Sequence, residues 1–192
     1  MPKHLFSLDV RRARKGDCLL LHYGSDVTPG LMLIDGGPSK VYGPHLRPRL
    51  LAIRQARGLA PEETLPIDLL LVSHIDDDHI KGILELTQEL ITAANERTTP
   101  LVRIRSLWHN AFDDIIGNDP HRLLSSVTAA FGAASLSGDA RVDGLDPDTA
   151  RVLASVQQGY QLRNDARKLK IPINTGHNRG PVMGGHAGIV AP

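Results

Sequence analysis

Cysteine is nearly absent from this chain: Cys18 is the single one among 192 residues. One thiol excludes an intramolecular disulfide framework and a cysteine-rich zinc site. Cys18 itself reads as a small buried strand residue, because no basic neighbour motif would lower its pKa. Long hydrophobic runs are absent too, and nothing approaches the ~18–20 apolar residues of a membrane span. The N-terminus reads Met1-Pro2-Lys3-His4, and Asp9 interrupts the apolar run that follows. That is not a secretory signal, so a cytoplasmic protein is expected. Net charge is lacking, with 22 Lys and Arg against 21 Asp and Glu. There is no internal repeat, no low-complexity block and no serine nucleophile elbow. Gly184-Gly185-His186-Ala187-Gly188 is not a phosphate loop, since no strand precedes it and no Lys-Ser/Thr follows. What is present suffices for one domain, which at this length buries ~70% of its unfolded surface without staples.

The balanced total hides a segregation. Residues 1–60 carry +6, residues 61–120 carry −8, and the remainder +3. Acidic clusters attract cations and basic flanks attract phosphates, although ordinary solvated faces give the same arithmetic. The first third reads as strands: His4 to Val10, Asp17 to Tyr23 and Leu31 to Asp35, each bounded by turn residues. Residues 45–57 read as a helix whose start Pro48 restricts. Ile67 to Ser73 is a near-continuous apolar run, the mark of a strand buried on both faces. A helix follows His79, with Ile80, Ile83, Leu84, Thr87, Leu90, Ile91 and Ala94 on one face. Leu101 to Leu107 reads as another strand, completing a crossover unit. Helical patterns recur in 121–136 and 148–169, the second interrupted by Gly159. Residues 171–192 form a Gly/Pro-rich tail or linker after a domain of residues 1–170.

The chemistry concentrates in six residues, His74-x-Asp76-x-Asp78-His79. They lie between the C-terminal end of the expected buried strand and the start of a helix, where ligands of α/β sheets gather. Imidazole and carboxylate together suit zinc, manganese or iron. Alternation lets His74 and Asp76 face one position while Asp78 and His79 face a second, a two-metal arrangement. Helix capping is the bland alternative, but a cap needs one carboxylate and no histidine. Oxygen-only binding of Mg or Ca is another. The crowded negative charge here calls for a cation.

These residues resemble a known family. Leu33-Ile34-Asp35-Gly36-Gly37, followed by Ile67 to Gly82, is similar to the metallo-β-lactamase-fold hydrolases. Their usual motif is His-x-His-x-Asp-His, and here Asp76 stands at the second histidine. That variant resembles the branch containing the soluble hydrolase domain of bacterial DNA-uptake (competence) channels. Gly16-Asp17-Cys18-Leu19-Leu20-Leu21 resembles the opening strand pair of that branch. Ser155 to Tyr160 and Leu169 to Asn174 are similar to a weaker later stretch. The resemblance implies an α/β fold, a metallo-β-lactamase-like αββα sandwich of which this chain supplies the N-terminal half or slightly more. It implies two zinc ions, with His74 and Asp76 as ligands of the first and Asp78 and His79 of the second. Asp78 would also steer the attacking water as the catalytic residue, and Asp35 would orient a ligand from behind.

The family pattern further needs a third histidine for the first metal, a bridging aspartate and a last histidine. His109 at the end of a strand is the candidate for the first, and Asp139 in Leu136-Ser137-Gly138-Asp139-Ala140 for the second. His177 and His186 sit in the tail and read as loop residues. The expectation is a metal-dependent hydrolase using a metal-bound hydroxide on a phosphodiester or related ester, small-molecule or nucleic-acid. The basic stretch Arg11-Arg12-Ala13-Arg14-Lys15 either holds such a phosphate or is a solvated hairpin tip. A lactam substrate is disfavoured by Asp76. Two alternatives stand beside this reading. One is a truncated or degenerate module that binds metal or a partner without turnover. The other is an enzyme completed by a second copy or by a missing C-terminal half.

Overall fold

A computed structural model describes residues 3–109 and 147–175. Within them the fold is mixed α/β, with one mixed five-stranded sheet, a small parallel pair and three α-helices. Strands β1 (His4–Val10), β2 (Leu19–Ser25) and β3 (Pro29–Ile34) form an antiparallel meander. A π-helical turn at Tyr42–Leu46 runs into α1 (Arg47–Ala56), with Pro48 in its first turn, where the missing N–H costs nothing. After β4 (Leu65–Ile67), strand β5 (Leu69–Val72) returns parallel to β3. Helix α2 (Asp77–Glu96) then crosses over to β6 (Val102–Ile104) and β7 (Leu107–His109), the latter parallel to β5. The main sheet has the order β1-β2-β3-β5-β7, and β4 pairs with β6. Helix α3 (Pro147–Lys168) packs on α2.

Register explains which residues enter the core. Leu20 lies opposite Leu33, Leu33 opposite Leu70, and Leu70 opposite Leu107, so all four share one face. That face is buried beneath Leu46, Leu50 and Ile53 from the α1 side and Ile80, Ile83 and Leu86 of α2. The alternate residues Leu19, Leu21, Met32, Ile34, Leu69 and Leu71 are only half-buried. The expected strand buried on both faces is therefore corrected: among the described residues β5 is helix-covered on one side alone, and its other face is half-buried.

The run from Ile67 to Ser73 also divides. Asp68 breaks it, because its carboxylate accepts the Tyr23 hydroxyl at 2.9 Å, the Leu31 N–H at 3.0 Å and an Arg105 guanidinium N–H at 2.8 Å. Residues before Asp68 join the small pair and residues after it join the main sheet. Leu101 to Leu107 divides in the same way, at Arg105-Ser106. The helical pattern at 148–169 corresponds to α3, whereas the pattern at 121–136 lies outside the described residues. Part of the expected tail is attached: the Leu107 N–H donates to the Pro172 carbonyl at 2.9 Å, and the Asn174 N–H to the Leu107 carbonyl at 2.8 Å.

Among the described residues no helix is long and apolar enough to cross a membrane.

Candidate metal centre

Strands β3 and β5 are parallel, so both deliver their C-terminal ends to one edge of the sheet. Asp35 follows β3 directly, and Ser73-His74 follows β5. Asp35 has φ 53°, a left-handed conformation that Asp tolerates better than most side chains. The turn it makes leads into Gly36-Gly37, on which α2 is seated. The Gly36 N–H donates to the His79 carbonyl at 2.8 Å, and the Gly82 N–H to the Gly37 carbonyl at 3.0 Å. Backbones approach so closely that a Cβ on Gly82 would overlap the Gly36 carbonyl oxygen. This contact fixes the first turn of α2 relative to the end of β3.

Asp35 is almost wholly buried, and its carboxylate is fully used. Oδ1 accepts the Ser73 N–H at 2.8 Å, and Oδ2 accepts the Ser73 hydroxyl at 2.6 Å. Oδ2 lies 2.9 Å from His79 Nδ1 as well. An ionised carboxylate only accepts, so the His79 Nδ1–H donates to Asp35, which leaves Nε2 as the lone-pair nitrogen of the neutral ring. That is the arrangement by which a buried carboxylate orients a metal-ligating histidine.

Nε2 of His79 faces Asp78, whose Oδ1 is 3.8 Å away. The His74 ring lies alongside, its centroid 3.7 Å from that of His79 at a 46° tilt. His74 Nδ1 is held 3.0 Å from the Ser73 hydroxyl. One ligand atom from each of His74, Asp78 and His79 lies within 4.8 Å of the others, the spacing of a cation-binding triad. His79 is buried, Asp78 half-buried and His74 exposed, so the group has a protein wall and an accessible side. Two imidazoles and one carboxylate fit a borderline divalent ion.

Asp76 stands apart from this triad. It is the residue before the first turn of α2, but its side chain makes no capping bond. Oδ2 lies 3.9 Å from His74 Nε2, and Oδ1 accepts the Ser155 hydroxyl of α3 at 3.3 Å. Asp77 is turned outward, bonded to Gln158 and paired with Lys81 at 2.8 Å. Burial alone would push the Asp77 carboxyl up; the bonds from Lys81 and Gln158 and the Lys81 charge outweigh it and hold the group below its ordinary range.

His109 lies beside Val72 in the register of β5 and β7, at the same sheet edge, and is buried. Its backbone is clamped by Asn174, which accepts the His109 N–H at 3.0 Å and donates to its carbonyl at 2.9 Å. His109 is in neither of the metal-competent groups found among the described residues. Asp139, His177 and His186 lie outside the described residues.

Several residues at this edge entered the sequence reading only as parts of family-like stretches, with no role at the site. Asp17 brings a carboxylate within 4.8 Å of ligand atoms of Asp35 and His79. The loop that carries it is pressed onto the site, because Gly16, at φ 80°, leaves no room for a Cβ beside the Asp78 carbonyl. Ser155, Gln158 and Asn174 arrive from chain positions far downstream. Gly16-Asp17 read only as the start of a strand pair resembling that of the family branch. Cys18, next to Asp17, is buried, and burial pushes its thiol up to about 12, so it is inert as a ligand or nucleophile. No protein-family model matches this chain, and neither a curated protein nor a solved structure matches it.

Proposed function

We propose that this protein is a metal-dependent hydrolase acting on a phosphodiester or related ester. The observation that carries the reading is the triad of His74, Asp78 and His79 within 4.8 Å, backed by an Asp35 that fixes the His79 tautomer. A zinc-like divalent ion bound there supplies Lewis acidity and lowers the pKa of a coordinated water. Asp78, half-buried beside His79, is the carboxylate positioned to accept a proton from an attacking water. Asp76 extends the donor set toward His74, and Ser155 holds its other oxygen. The sheet with helices on one face agrees with half of a metallo-β-lactamase-like αββα sandwich, and we read it so.

Charge favours a phosphate ester. The loop anchored to Asp78 through Gly16 also carries Arg12, Arg14 and Lys15, all exposed. Three cations beside an acidic metal centre suit an anionic substrate.

The test is titration of metal-free protein with Zn²⁺ or Mn²⁺ by calorimetry, together with hydrolysis of bis(p-nitrophenyl) phosphate. Tight binding of one or two ions, with hydrolysis lost in Asp78→Ala and affinity reduced at least tenfold in His74→Ala, supports the reading. One weakly held ion and no hydrolysis would replace it with the module that binds without turnover. Affinity unchanged in His74→Ala removes the site assignment.

A further inference from the structure

We propose that two copies of this chain associate through strand β1, edge to edge and antiparallel, about a two-fold axis at Ser7. Among the described residues β1 is the outer strand of the sheet and pairs with β2 alone. Its ladder follows His4 opposite Ser25, and two flanking bonds fix which residues it uses. The Arg11 N–H donates to the Cys18 carbonyl, and the Asp26 N–H to the Lys3 carbonyl. Odd-numbered residues therefore bond to β2. By the alternation of antiparallel pairing, residues 4, 6, 8 and 10 turn their N–H and C=O groups to the free edge.

The same residues carry the least covered apolar surface of the sheet. Phe6 is 81% exposed, Val10 66% and Leu8 52%. Their neighbours on the same face, Leu19, Leu21 and Met32, are half-buried, so exposure rises toward the edge. Natural edges are blunted by Lys, Pro or a bulge. Residues 4–10 contain neither Lys nor Pro, and their pairing with β2 is unbroken.

A second copy fits this edge better than a partner of other chemistry, because β1 complements itself. A two-fold at Ser7 overlaps all seven residues, sets Phe6 against Leu8 twice, and pairs about eight outward N–H and C=O groups. Asp9, the strand's acidic residue, points to the other face, where Arg11 at 2.8 Å and Arg49 neutralise it. The strand therefore meets its copy without an unpaired carboxylate. Phe6, Leu8 and Val10 expose roughly 350 Å² per copy, a patch large enough to bind. Pairing in the plane of the sheet covers the flanks of these side chains and leaves their outer face open, so the interface stays well below the ~1,200 Å² of standard ones. Weak association, with dissociation at high micromolar concentration or above, is expected.

The experiment is light scattering on the full chain over a micromolar-to-millimolar series, with two variants. Wild type should pass from monomer to dimer, and Leu8→Lys should raise the dissociation constant at least tenfold. Phe6→Lys, at a position too exposed to matter for folding, should do the same. Ser7→Cys adds a test of register. Non-hydrogen-bonded antiparallel pairs hold Cα atoms ~4.5 Å apart, within disulfide range. Mild oxidation should link Ser7→Cys chains rapidly and the exposed control Thr98→Cys slowly, with buried Cys18 silent. A chain that stays monomeric throughout overturns the proposal. So does a dimer that survives both lysine variants, or a Ser7→Cys chain that links no faster than the control.

Discussion

Asp35→Asn is the most discriminating single change at the metal centre. Backbone strain is matched, since Asn tolerates φ 53° as well as Asp does. Shape is matched as well, and Asn Oδ1 can still accept the Ser73 N–H. The change falls on Oδ2, which becomes an amide NH₂ facing the Ser73 hydroxyl and His79 Nδ1. The hydroxyl can rotate to accept. His79 must instead turn Nδ1 into an acceptor and carry its proton on Nε2, the atom that should bind metal. Losing the charge-assisted bonds of a buried carboxylate costs about 1.5–3 kcal/mol in the metal-free protein, read by urea denaturation. Metal affinity should fall 10–100-fold, about 1.4–2.7 kcal/mol, read by calorimetry with Zn²⁺. The two readouts separate two errors. Full destabilisation with unchanged affinity would refute His79 Nε2 as a ligand. Unchanged stability would refute the buried hydrogen-bond triangle itself.

Two further outcomes follow from packing and charge. Gly82→Ala, ordinarily worth ~1 kcal/mol in favour of a helix, should destabilise by about 1–3 kcal/mol, because the new Cβ pushes α2 off the Gly36 carbonyl; a stabilised variant in denaturant melts would contradict that contact. His22 supplies a pH dependence: burial first, then the charges of Arg49 and Arg57, pull its pKa below its ordinary 6.5. The unfolded chain then takes a proton that the folded chain refuses, so this contribution is complete above 6.5 and fades as pH falls from 6.5 toward the folded pKa. His22→Gln should therefore lose less stability than wild type between about pH 7.5 and about pH 5, and equal slopes would contradict the burial argument.

What was legible in the sequence follows from how far apart the cooperating residues lie in the chain. His74 to His79 were legible because a strand end, a short loop and a first helical turn are consecutive, and one pattern carries all three. The meander and the periodicity of α2 were legible for the same reason. Asp68 was not given its weight: one carboxylate in an apolar run looks like a tolerated exception. In three dimensions it gathers Tyr23, Leu31 and Arg105 and divides the run between two sheets. Asp17, Ser155 and Asn174 are harder still, because each reaches the site through a contact that only the closed fold creates. The nearest local clue to such contacts is glycine where a side chain would be cheaper. Gly82 inside a helix and Gly16 beside Asp17 both mark places where one backbone must touch another. The residues next to such glycines are therefore where distant parts of a site should be sought, and Asp17, one residue from Gly16, is the instance this chain provides.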